Sequence, residues 1–199
     1  MEKKTIYFII ALNFLIIMAL SIFLYGIKKS NEGEIIIEQN KLVNVEMPKE
    51  NVEKLKWEDY NVEFPYFNEF TNRVENLVEG SVYQSIGMFN KETEEGCTLM
   101  IYTGENEFES VKDLMYSLAN GAKNNTNISN DTIKVYENAK FDKEEAFKLK
   151  YKNSDGINVY ELVTIHDEKQ YVFMYSAKDE NYDENKAEFL FNNVKFLDN

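Results

Sequence analysis

The chain has 199 residues, a single cysteine, and 35 acidic against 22 basic side chains, a net charge of −13 at neutral pH. One cysteine excludes an intramolecular disulfide framework, and the acidic excess argues against nucleic acid or anionic lipid head groups as partners. The part beyond the first 50 residues is long enough to close one core without staples.

The charge is distributed unevenly. The first 29 residues hold four lysines and one glutamate, which leaves 18 basic and 34 acidic residues beyond them, a net of −16. Residues 5–27 form an uncharged apolar run between the pairs Lys3-Lys4 and Lys28-Lys29. As a helix this run is roughly 35 Å long, enough to cross a hydrocarbon core with modest tilt. It is longer than a secretory signal core, and Leu24 is too large for a small-residue cleavage site. No cysteine follows it closely, so lipid attachment is excluded. The expectation is a membrane anchor at residues 1–29 with a transmembrane helix at 5–27. The lysine count is nearly tied across the run. The free amino terminus tips it towards a single-pass cell-membrane protein whose soluble domain lies outside the cytoplasm.

Residues 30–51 are polar and charged, interrupted by Ile35-Ile36-Ile37 and Pro48. They read as a stalk with one short ordered piece at 34–38, reaching roughly 25 Å by flexible-coil scaling. The soluble domain is then residues 52–199.

Within it, Asn61 to Phe64 is a short strand that Pro65 is expected to stop. Residues 81–89 and 97–103 are β-rich and form a hairpin across Glu94-Glu95-Gly96. A helix follows, with Asn106 as its cap and Glu109 in the capping-box position. Phe108, Val111, Met115, Leu118 and Ala122 recur at helical spacing, and Gly121 lies near its end. Residues 124–131 are a polar loop whose three Asn-x-Ser/Thr triplets read as chance in an asparagine-rich chain of bacterial composition. Thr132 to Tyr136 is another strand. The segments 145–151, 157–165 and 171–176 alternate and are joined by turns at Asn153-Ser154-Asp155-Gly156 and His166-Asp167-Glu168-Lys169, an antiparallel meander. A closing helix spans about 180–192, with Asp179, Glu180, Asp183 and Glu184 at its positive end, and 194–197 is a last strand. The fold class is α+β, an antiparallel sheet with two helices covering one face.

The order of these elements resembles the PsbP-like family, which includes bacterial envelope proteins. The likeness is carried by Tyr60-Asn61-Val62-Glu63-Phe64-Pro65, the amphipathic helix 108–122, the meander 146–176 and the ending 182–196 with Asn193-Val194-Lys195-Phe196. It covers about residues 57–199. The resemblance implies a binding or assembly module without a catalytic triad or cofactor motif. The chain departs from the envelope lipoproteins in lacking a lipobox cysteine, and a transmembrane helix would take the lipid's place.

No catalytic, cofactor-binding or metal-ligating residues are assigned. His166, the sole histidine, reads as a solvated turn residue, and no serine or cysteine nucleophile is positioned by sequence to join it. The acids at 179–184 lack the spacing of a calcium loop, and Glu92, Glu94 and Glu95 read as a solvated hairpin turn. Cys97 reads as a small buried thiol. Trp57, Tyr160, Tyr171 and Tyr175 are the candidate interaction surface, since aromatic side chains are enriched at protein interfaces. The expected function is a membrane-anchored extracytoplasmic protein-binding or assembly module with an unidentified protein partner and no enzymatic activity. The alternative is a sensor domain for a small molecule or cation, its pocket lined by Trp57 and the meander tyrosines.

Overall fold

The computed structural model describes residues 37–40, 51–77 and 81–197. The transmembrane helix expected at 5–27 lies outside them. Among the described residues no helix is long and apolar enough to cross a membrane.

The chain runs through β1 (Ile37–Gln39), β2 (Val52–Trp57), β3 (Val62–Phe67), β4 (Asn72–Asn76), β5 (Tyr83–Asn90) and β6 (Glu95–Tyr102). It continues with helix α1 (Val111–Asn124), β7 (Lys134–Phe141), β8 (Glu144–Lys152), β9 (Ile157–His166) and β10 (Lys169–Lys178). Helix α2 (Glu184–Asn193) and β11 (Lys195–Phe196) complete it. Two sheets result. The larger has the order β1-β7-β8-β9-β10-β6-β5-β4, and the smaller has the order β11-β3-β2. All pairings are antiparallel except β1 with β7, which is parallel. Three residues of the expected stalk, Ile37–Gln39, are therefore part of the large sheet.

The expectation that both helices cover one face is corrected. Helix α1 packs Leu114, Met115, Leu118, Ala119 and Ala122 against Val135, Phe147, Leu149, Val159 and Val163. Helix α2 packs Ala187, Leu190 and Phe191 against the opposite face, together with Leu55, Phe64, Leu162 and Phe173. The reason is the small sheet. Its strands close the second face of the large sheet and leave a strip beside them that α2 fills. The central strands are covered on both sides, which is why β9 and β10 are buried along most of their length.

Local sequence accounts for most boundaries. The meander forms as read, with the β9–β10 link a two-residue turn in which Asp167 and Glu168 both have positive φ, 46° and 60°. That backbone twist matches the twist of the flanking strands. In β7 the register slips by one residue between Tyr136 and Ala139, and Asn138 sits there at φ 61°. This bulge bends the strand where β1 joins it. Strand β3 continues through Pro65, because β11 pairs only with Val62 and Glu63 and the strand is an edge beyond them.

Helix α1 starts four residues later than Asn106 would place it. Its cap is Ser110, whose Oγ accepts from the Asp113 amide at 3.2 Å and donates to Asp113 Oδ2 at 2.6 Å. Asn106 instead accepts from the Phe108 amide and from Gln170 Nε2. Ser110→Ala is expected to cost about 1 kcal/mol, measured as a shift in the denaturant midpoint with an unchanged slope. Asn106→Ala is expected to leave the helix start where it is.

Candidate functional site

The four aromatic residues expected at an interaction surface are all in the core. Trp57 is 4% exposed, Tyr160 and Tyr171 are 2% exposed, and Tyr175 is fully buried. The alternation read from the sequence is correct, since Val159 faces α1 and Tyr160 faces α2. It separates two cores, however, and not a core from solvent. Ring contacts fix these side chains: Trp57 on Tyr60 at 4.9 Å, Tyr160 on Phe191 at 5.2 Å, Tyr171 on Phe196 at 5.0 Å. They are packing residues and present no exposed docking surface.

Their hydroxyl groups lead to the polar chemistry that the sequence did not reveal. Tyr160 donates to Glu188 Oε1 at 2.8 Å, and the other oxygen of Glu188 meets Lys148 Nζ at 2.6 Å with both side chains buried. Lys148 also donates to Asn40 Oδ1 at 3.1 Å, which ties the stretch after β1 to β8 and α2. Next to this cluster, Lys150 pairs with Glu184 at 2.5 Å and lies over the rings of Tyr160 and Tyr182 at 5.7 and 5.0 Å. Burial, reinforced by Glu188, pushes the Tyr160 phenol far above its ordinary range.

A second cluster joins α2 to β6. Tyr175 donates to Glu95 Oε1 at 2.5 Å. Lys186 reaches both oxygens of Glu95 at 2.9 and 3.0 Å and Glu69 at 2.8 Å. Glu95 is buried in β6, so the reading of Glu92, Glu94 and Glu95 as one solvated turn is corrected. Lys186 supplies the charge that lets Glu95 be buried. The surface acids are also engaged. Asp179 pairs with Lys152 and accepts from Asn158, Asp183 caps α2 through the Asn185 amide, Glu184 holds Lys150, and Glu94 pairs with Lys178. Among the described residues no group of three or more histidines, cysteines or acids converges as a metal site would.

A third arrangement lies under α1. Glu161 is buried in β9, between Val159 and Val163 on the same side, opposite Leu149 of β8 and Met174 of β10. Its carboxyl accepts from Tyr151 Oη at 2.9 Å. Burial pushes it up to about 7, against the smaller downward effect of that hydrogen bond. Sequence contains the signal for this one, an acid in phase with valines in an apolar strand. Lys148 has no such mark, because its own phase in β8 holds Glu144, Ala146, Lys150 and Lys152, a mostly charged set.

His166 is at the end of β9, half-buried and stacked on Phe196 with ring centroids 3.8 Å apart and planes 16° off parallel. Its Nδ1 is 3.2 Å from Glu144 and its Nε2 is 3.6 Å from Asp167. It closes the β11 end of the core, a role the solvated-turn reading omitted. Cys97 is buried, its Sγ 3.8 Å from the Pro65 carbonyl oxygen, and desolvation pushes its thiol well above the ordinary range. Such a thiol is a poor nucleophile at neutral pH.

No family model and no curated protein matches the chain. Among solved structures it is similar to the solution structure of cyanobacterial PsbP (CyanoP) from Synechocystis, at 14% sequence identity and a TM-score of 0.49. That match covers 73% of this chain and 92% of that one. The neighbour bears the name of the fold that the sequence elements resemble, and the likeness concerns the fold alone.

Proposed function

We propose that the chain is a membrane-anchored extracytoplasmic protein-binding or assembly module, acting through its surface and not through catalysis. The observation that carries the proposal is the uncharged run at 5–27 between lysine pairs, followed by residues of net charge −16. A run of that length and polarity matches a bilayer, and a domain of that charge is repelled by anionic lipid. It is held at a membrane surface that it does not adhere to.

The buried side chains support the non-catalytic half of the reading. Cys97 is enclosed, Glu95 and Glu188 are neutralised by Lys186 and Lys148, and His166 is stacked and paired. The two ion pairs and His166 are spent on holding α2 and β11 to the sheets. The partner is a protein with a basic surface, so association weakens as ionic strength rises.

Affinity capture from detergent-solubilised membranes, repeated at low and high salt, tests this. The proposal expects one protein recovered reproducibly and released by salt. Recovery of no specific protein counts against it, and a rise in melting temperature with added calcium favours the cation-sensor alternative.

A further inference from the structure

The described residues contain three buried glutamates, Glu95, Glu161 and Glu188. Two have lysines at salt-bridge distance. Glu161 has none. From β8 come Leu149 opposite and Tyr151 diagonally, and from β10 Met174 opposite with Val172 on the same side. From β6 the same face brings Thr98 and Met100. Helix α1 packs Leu114, Met115, Leu118, Ala119 and Ala122 in one cluster with Val159 and Val163, which flank Glu161 on that side, while Lys112, Asp113 and Tyr116 of that helix are exposed and Lys123 is half-buried. Tyr151 is the one titratable group facing the carboxyl among the described residues, and it is a neutral donor. An ionised carboxylate in such a setting loses its hydration with no cation in return, so the neutral acid is the form this core accepts.

We propose that Glu161 is a pH-responsive latch beneath α1: its protonated form lets the helix close on the sheet, and its ionisation loosens that helix. The sign follows from linkage. The folded value, about 7, lies above the ordinary 4.5, so the closed state holds a proton that an opened state releases. The stabilisation is fully present below about 4.5, declines as pH rises towards 7, and is gone above it. The latch is local, because α2 packs on the other face of the sheet and is held there by its own lysine–glutamate pairs.

Hydrogen exchange of the full-length chain in detergent micelles tests this, with rates corrected for intrinsic pH dependence. In the wild type the opening constant of α1 amides should rise about tenfold per pH unit between 5 and 7, near 100-fold in all, and level off above. Glu161→Gln should remove that rise and leave α2 amides unchanged. Tyr151→Phe removes the donor that favours the ionised form, so the levelling should move to higher pH. A wild type with pH-independent α1 exchange, or a Glu161→Gln chain showing the full wild-type rise, overturns the proposal. Should the glutamine variant not fold, the carboxyl carbon shift of Glu161 in the wild type decides. A midpoint near 7 supports the latch, and one near 4.5 refutes it.

Discussion

Lys148→Met is expected to destabilise the domain by about 3–5 kcal/mol, the usual effect of stranding one member of a buried ion pair. Glu188 would keep the Tyr160 hydroxyl but lose its counter-charge at 2.6 Å, and Asn40 would lose its donor. The double variant Lys148→Met with Glu188→Leu removes both charges and should recover most of the loss, leaving Tyr160 to account for the remainder. Denaturant unfolding of the three chains measures this directly. A single-variant loss below about 1 kcal/mol would mean that the pair behaves as a surface salt bridge. In that case α2 is held by its apolar side and by the Lys186–Glu95 pair.

Phe64→Ala is the second large effect, about 3–5 kcal/mol. Phe64 is fully buried where the small sheet meets the large one, its ring 5.4 Å from that of Phe173. Removing it leaves a cavity between two sheets that cannot collapse without shifting a whole strand. Leu77, 44% exposed just after β4, supplies the control. Its replacement by alanine should fall within about 0.5 kcal/mol. Equal effects at the two positions would contradict the two-sheet core.

The parts of this fold legible in the sequence are those whose determinants are local. The meander β8–β10 could be read because apolar alternation and Asn-Asp-Gly turn chemistry fall in consecutive residues. Helix α1 could be read from its spacing, but its start is expected four residues early, at Asn106 instead of Ser110. Asn106 is engaged by the Phe108 amide and by Gln170, 64 positions away, and the second of these contacts has no local mark in the sequence. Strands β2 and β4 were missed because lysine, arginine, glutamate and asparagine fill most of their positions, as suits short edge strands. The candidate surface failed for a deeper reason. A period of two assigns residues to two faces of a sheet, but it cannot say whether the second face is wet. Here that face is covered by β2, β3, β11 and α2, elements drawn from both ends of the domain. Buried Lys148, Glu95 and Glu188 were hidden by the same non-local closure.

The reading of the whole chain rests on an acidic domain tethered outside the cytoplasm and engaging a protein there. A membrane-impermeant crosslinker applied to intact cells, followed by capture of the full-length chain, tests both halves at once. The account predicts a discrete adduct containing one recurring protein, lost when the outer surface is first treated with protease. A chain that stays unmodified and protease-resistant on intact cells, yet is cleaved after lysis, would contradict it.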